Sequence, residues 1–375
     1  MGSVRAIRRN IERNSSDKTS GDTRGNVGTK LRGIRRIAGA PAIKGTIASL
    51  LASAGIGSIA GSFSMSQPAA AQGSFPGNTT SYYIDNLAAL HQAGYADAGA
   101  TVSGDRNVIL DFGTQVPNQT GSTDKWGTQS PYMPRGVVLP DNSSNPQTAS
   151  VESAATTFIL GWLNRDPNLQ GWIGVGTNDS VPSNVNATSG HIWGEMIKGL
   201  HGRFASTPIN VRGADDIELS YASFSQISDW IGGTSPTYAG APSGSSSGYQ
   251  GGAGAIGYFD YGSAGSCSSR CHGGFTWPDV YDVAAGYYDA IAMPENYYPG
   301  DASDWLSVEN HASYNSYKNT YGSVTIPFST VMAQEAYNSQ GVLHPIEYSA
   351  LQSWDTFTTT VGQYSLASTV IEPMT

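Results

Sequence analysis

Along most of the chain a short β-rich run, a loop of Gly, Pro, Asn and Asp, and an amphipathic stretch follow one another. Strands are predicted at "NVILDFG" (107–113), "GWIGVGTND" (171–179), "INVRGADDIEL" (209–219), "AIGYFDYG" (255–262), "AIAMPENYY" (290–298), "SVTIPFS" (323–329) and "GVLHPIEYS" (341–349). Between them, apolar positions recur at helical spacing over 151–166, 190–204, 223–233, 277–288, 302–313 and 330–340, with a last helix expected at 350–363. Earlier, Leu87, Leu90 and Tyr95 predict a helix within 82–99. Strands alternating with helices argue for parallel β–α–β units. Seven or eight of them in about 270 residues fit an α/β fold of the (β/α)8 (TIM) barrel type, irregular or incomplete, better than a doubly wound sheet. The alternative is an open flavodoxin-like or Rossmann-like sheet, but no strand-then-glycine phosphate loop occurs early in the chain. Long loops are expected at 114–150 and 234–254. The first follows a strand's C-terminal end, the side on which barrels build their sites; the second follows a helix.

The first seventy residues do not share this pattern. Residues 1–44 hold eleven of the twenty basic residues and three acids, followed by the apolar "GTIASLLASAGIGSIAGSF" (45–63) and then "MSQPAAAQ" (65–72). A basic region, an apolar region and an A-x-A site (Ala69, Ala71) make an export signal. Arg35-Arg36 and the weakly hydrophobic core resemble the twin-arginine type, so the protein is expected to be secreted or at the cell surface. The alternative for this leader is a retained membrane anchor. The expected organisation is therefore an export signal (1–71), a polar tail and helix (72–105) and a barrel (106–375). Removing the leader leaves nine basic against twenty-six acidic residues, a net charge near −17. Such a field repels nucleic acid and anionic lipid, which are excluded as partners.

Two cysteines, Cys267 and Cys271, lie in "SCSSRC". In an exported protein a short disulfide is the expected reading, with a metal or redox pair as the alternative. Six histidines form no H-E-x-x-H motif and no close pair, so neither a zinc site nor any cofactor is expected. No EF-hand loop occurs, although an acidic mouth is a setting in which calcium binds. "GSSSG" (244–248) matches G-x-S-x-G without a preceding strand, and Gly252, Gly254 and Gly257 spell G-x-G-x-x-G before a strand instead of after one.

The chemistry concentrates in "RGADDIELSYAS" (212–223), where three carboxylates fall in four positions. Alternate strand residues face opposite sides, so Arg212, Ala214, Asp216 and Glu218 share one face and Val211, Asp215, Ile217 and Leu219 the other. On a barrel strand the first set faces the lumen. Arg212, deeper on that side, is expected to hold Asp216 ionised. Two close carboxylates cannot both ionise cheaply, and a raised acid beside an ionised neighbour is what glycoside hydrolysis uses. The bland alternatives are solvated loop charges or a purely structural network. Asp111, Asp179, Asp260, Glu295 and Glu347 stand at or near other strand ends, and Asp260 or Glu295 is the expected second carboxylate. Trp126, Tyr258, Tyr297, Tyr298 and His344 complete the candidate substrate contacts, because aromatic faces stack on sugar C–H surfaces.

The strand "GADDIELS" resembles the acid-bearing strand of barrel glycoside hydrolases, and its "DIE" is similar to the end of the chitinase-type D-x-D-x-E pattern, with Ala214 where that pattern has its first Asp. The resemblance implies Glu218 as general acid and Asp216 as a residue that orients a substrate acetamido group or tunes that acid. Residues 82–363 also resemble secreted bacterial barrel proteins of unassigned activity that share "ILDFG", "GADDIE", "YFDYGSA…C" and "PE.Y". The expected function is a secreted glycosidase acting on a cell-wall (peptidoglycan included) or environmental polysaccharide. The alternative is a non-catalytic barrel that binds glycan or protein.

Overall fold

The computed structural model describes residues 73–84, 86–117, 126–129, 138–139, 149–232, 256–265, 274–286, 290–312, 326–337 and 340–374. All belong to the compact unit Ser66–Thr375. The leader, Cys267, Cys271, most of 114–150 and the whole of 234–254 lie outside the described residues.

The strands are β1 (Thr79–Tyr83), β2 (Asn107–Pro117), β3 (Trp126–Gln129), β4 (Val138–Leu139), β5 (Gly171–Asn178), β6 (Ile209–Asp216), β7 (Tyr258–Asp260), β8 (Ala290–Ala292), β9 (Thr330–Tyr337), β10 (Leu343–Pro345) and β11 (Ala367–Pro373). They form one sheet in the order β10-β9-β11-β1-β2-β5-β6-β7-β8, with β3 paired to β2 and β4 to β3. From β9 to β8 every neighbouring pair is parallel; β10 and the β3–β4 pair run antiparallel at the margins. The parallel strands follow chain order, and the last, β11, returns to pair with the first, Thr79 standing opposite Thr369.

The ladder is discontinuous between β8 and β9, where two isolated parallel bridges, Ala292–Phe328 and Glu295–Met332, span the gap. Proline explains the interruption, since it offers a carbonyl but no N–H. Pro327 O accepts from Ala292 N at 3.1 Å and Pro294 O accepts from Met332 N at 3.0 Å. The fold is thus α/β with a mostly parallel sheet, compatible with a barrel, whose ladder is not closed.

The helices are α1 (Leu90–Asp97), α2 (Ala149–Arg165), α3 (Ala187–Phe204), α4 (Phe224–Gly232), α5 (Trp277–Tyr281, running into a π turn at Asp282–Gly286), α6 (Asp301–Ala312) and α7 (Ala350–Val361). Local sequence sets their ends. The Asn186 side chain accepts from Thr188 N and Ser189 N to start α3, and Gly362, at φ +80°, ends α7. One large apolar cluster, containing Trp162, Trp193, Trp305 and Val211, fills the space between helices and sheet. A second cluster occupies the sheet's other face and joins Tyr83, Ile109, Ala214, Phe259, Met332 and Ile371, from strands far apart in the sheet order. No helix among the described residues is long and apolar enough to cross a membrane.

Several expectations need correction. The stretch 330–340, expected as helix, supplies β9, because Val331, Met332 and Ala333 are all buried and the strand carries no period-2 signature. The run expected as strand at 323–329 contributes only an isolated bridge at Phe328 within its described part, 326–329. Of 341–349 only Leu343–Pro345 is strand, as an antiparallel edge. Two parallel strands, β1 and β11, were not expected at all. Three of their buried hydroxyls are satisfied by neighbouring strands: Thr79 Oγ1 donates to Asn107 O at 2.6 Å, and Ser81 Oγ lies 3.0 Å from Thr369 Oγ1.

Candidate active site

Strand β6 alternates as the pattern requires. Val211 packs in the helix-side cluster and Ala214 in the inner one, which puts Arg212 and Asp216 on the inner face. The strand ends at Asp216, three residues sooner than expected. Ile217 is buried on the helix side and anchors the exit, so Glu218 follows Asp216 inward. Asp179, just past β5, secures this turn: Oδ1 accepts from Glu218 N and Oδ2 from Ala222 N, each at 3.2 Å. Gly262 lets the next connection approach, since a Cβ there would stand 2.3 Å from the Ile217 carbonyl oxygen. Its own carbonyl accepts from Glu295 N at 3.4 Å, tying the end of β8 to the same place.

The result is a convergence of Asp216, Glu218 and Glu295, each offering a carboxylate oxygen within 4.8 Å of the other two. Glu295 is buried and Oε1 accepts from the Tyr297 hydroxyl at 2.6 Å. Ser263 Oγ donates to Glu218 Oε2 at 3.2 Å. Asp301, opening α6, accepts from Tyr297 N and Tyr298 N at 2.8 Å each and so holds the segment carrying that tyrosine. Burial raises Asp216 well above the carboxylate range, and Glu295 and Glu218 beside it add to the effect. Glu295 is likewise raised, by burial and then by Glu218, against the lowering effect of the Tyr297 hydrogen bond. Burial also raises Glu218, opposed by hydrogen bonds with Ser263 and Glu295. Three acids so placed hold and share protons to higher pH than ordinary carboxyls do, which suits proton transfer. The same three oxygens could hold a cation.

The other candidates divide. Asp111 follows the inner-face alternation of Ile109; its Oδ1 accepts from Gly113 N at 2.5 Å, and burial pushes its pKa up to about 6. Asp179, raised by burial to about 8, holds backbone. Asp260, raised by burial to about 7, accepts from Gly262 N at 3.1 Å and registers with Asp215; it is not one of the three converging acids, so Glu295 alone of the two expected partners meets Glu218.

Arg212 does not hold Asp216 ionised. Its guanidinium lies 4.5 Å from the Trp172 ring centroid and 5.8 Å from that of Phe259. It stands four positions before Asp216, roughly 13 Å along the strand. Tyr258 is buried on the helix side, where its strand parity puts it, and does not face the site. Tyr297 belongs to the site, whereas Tyr298 is exposed. His344 and Glu347 are exposed near the β9–β10 hairpin, His344 Nδ1 donating to the Pro345 carbonyl. Trp126 opens β3 opposite Pro117, and its side chain lies outside the described residues.

Sequence reading missed Ser263, Asp301, Tyr83 and Tyr261. Tyr83 accepts from Gln334 Nε2 at 2.8 Å and Tyr261 donates to Thr177 O at 2.7 Å; both stand on the inner face. The doubled tyrosine at 82–83 and the tyrosine after "YFD" were the available signals.

No family model, curated protein or solved structure matches this chain. The class suggested by the site therefore rests on its geometry.

Proposed function

We propose that the protein is an exported glycoside hydrolase on an irregular (β/α)8 barrel, acting on a cell-wall or environmental polysaccharide. The barrel reading draws support from strands in chain order, from the β11–β1 pairing and from the two bridges across the β8–β9 gap. The approach of Glu218 and Glu295 within 4.8 Å carries the functional reading. Retaining glycosidases keep their two carboxyl groups about 5–5.5 Å apart, whereas inverting ones leave room for a water. Retention is therefore the favoured outcome.

Glu218, only half-buried and with a raised pKa, gives its proton to the glycosidic oxygen as the bond to C1 breaks. Glu295 attacks C1 from the opposite face and forms the glycosyl ester. Water then adds to C1 as Glu218 takes its proton back, and Glu295 leaves as carboxylate. Asp216 tunes the pair from below, and Tyr297 steadies Glu295.

The test is reducing-end release by the purified protein across a panel of polysaccharides and peptidoglycan, beside Glu218→Gln. Turnover should fall by about two to four orders of magnitude in the variant, with binding kept and the melting curve unchanged. A protein that binds one polymer and cleaves none, in either form, is a binding barrel, and the hydrolase reading fails.

A further inference from the structure

Exposed apolar side chains are not spread evenly over the molecule. Among the described residues eight large ones are exposed, and all but Tyr95, near the end of α1, lie between the last residue of a parallel strand and the first turn of the helix that follows. Val181 stands beyond β5, Tyr221 beyond β6, Tyr298 beyond β8 and Tyr337 at the end of β9. The helix-to-strand connections 98–106, 166–170, 205–208 and 362–366 carry none. Because the strands from β9 to β8 run parallel, their carboxyl ends lie on one edge of the sheet. A single exposed apolar residue needs no explanation. A set gathered on one edge does, and the same edge holds Asp216, Glu218 and Glu295.

Two of the set follow a converging acid at the same spacing, Tyr221 after Glu218 and Tyr298 after Glu295. Tyr221 is 49% exposed, yet the turn that carries it is held at both ends. Tyr221 N donates to Glu218 O at 3.0 Å, and Asp179 accepts the N–H groups of Glu218 and Ala222. Leu219 and Ala222 are buried, so the backbone is fastened on either side of the ring. Partial burial raises the phenol's pKa, and the charges of Glu218, Asp216 and Asp179 add to it, so the hydroxyl lies within electrostatic reach of the acids. A tyrosine on a fixed backbone has only two side-chain torsions to lose on contact, and little ordering cost opposes binding.

We infer that Tyr221 is a sugar-stacking residue at the mouth of the site, its ring lying against the C–H face of a pyranose unit beside the cleaved bond, and that the apolar edge carries the rest of the polymer. Tyrosine suits this contact, because its ring offers an apolar face while its hydroxyl stays in water. The net charge of −9 opposes an anionic occupant. The inference rests on the hydrolase reading for where the polymer crosses Glu218 and Glu295, and on the one-sided exposure for the contact itself.

The test is retention of the full-length Glu218→Gln variant on cellulose, chitin, xylan and peptidoglycan, each stripped of protein by protease, with Tyr221→Ala and Tyr221→Phe added in turn. Tyr221→Ala should weaken retention on the bound polymer at least about fivefold, whereas Tyr221→Phe, which keeps the ring, should stay within about twofold of its parent. Tyr95→Ala, altering the exposed tyrosine that lies away from the edge, should leave retention unchanged. With Glu218 intact, Tyr221→Ala should raise KM for the same polymer more than it lowers kcat. Unchanged retention in Tyr221→Ala, an equal loss in Tyr221→Phe or Tyr95→Ala, or retention on none of the polymers overturns the inference. Binding that disappears with the protease treatment makes the partner a protein and overturns it too. Tyr221-dependent retention without cleavage of any polymer keeps the inference and removes the hydrolase reading, while cleavage unaffected by Tyr221→Ala does the reverse. The ring is exposed, so the melting curves of the variants should match those of their parents.

Discussion

At Glu295 two influences oppose each other. Burial and the Glu218 carboxyl raise its pKa, while the Tyr297 hydroxyl, donating at 2.6 Å, pulls it down. Tyr297→Phe removes the lowering influence, so Glu295 keeps its proton to higher pH. If Glu295 must ionise to attack, the acidic limb of the pH–rate profile moves upward, and activity at a fixed pH on that limb falls roughly tenfold for every pH unit the limb moves. A pH–rate profile that keeps its acidic limb would remove Glu295 as nucleophile. The carboxylates of this site were readable one residue at a time, since alternation along "VRGADDIE" already put Asp216 and Glu218 on one side. Their partner was not: Asp260 and Glu295 look alike in sequence, and only the pairing of Asp260 with Asp215, against the tie from Gly262 to Glu295, separates them. Tyr258 and Tyr297 illustrate the same limit, one turned to the helices and the other to the acids.

At the scale of elements, α1 and α2 meet through two glycines. A Cβ on Gly94 would stand 2.0 Å from Phe158 O, and one on Gly161 would stand 2.0 Å from His91 O. Neither contact tolerates a methyl group without moving a backbone. Gly94→Ala should therefore destabilise by about 1–3 kcal/mol despite alanine's better helix propensity, because overpacking outweighs the gain. Gly202→Ala in α3, where nothing lies within 4 Å, should instead stabilise by up to about 1 kcal/mol. Urea midpoints of the two variants, measured together, check both signs. The helices were legible because each carries its own apolar stripe and several carry their own caps. Strand β9 was not, since "TVMAQEAY" is rich in helix formers and its strand state comes from burial on both faces beside β11.

Over the whole molecule, buried carboxylates set the pH response. Asp111, Asp260 and Asp179 rise from an ordinary 3.8 to about 6, 7 and 8 on folding, in each case chiefly through burial. A carboxyl raised this way keeps its proton in the folded chain at a pH where the unfolded chain has lost it. The folded state then binds more protons, and stability falls as pH rises. Stability should be greatest near pH 4 and decline in steps through pH 8, each tenfold weakening of an acid on folding costing at most about 1.4 kcal/mol once the pH has passed its folded pKa. The net charge of −9 at pH 7 acts in the same direction. Melting temperatures taken at pH 4.5, 6 and 8 should descend in that order; a rise towards pH 8 would mean that these acids are ionised and paired in the folded protein.

The sequence by itself determined what repeats locally: the alternation of strand and helix, the helix positions other than 330–340, the two faces of β6 and the placing of its acids. Those properties depend on neighbours a few residues away, and the chain carries them in its periodicity. Tertiary structure alone decided that "TTSYY" and "ASTVIEP" are strands, that Pro294 and Pro327 interrupt the ladder between β8 and β9, and that Glu295 meets Glu218. Each of these turns on partners tens to hundreds of residues distant. Buried hydroxyls satisfied by another strand leave no apolar trace in the sequence, and the meeting of two carboxylates is paid for by contacts that neither segment contains alone.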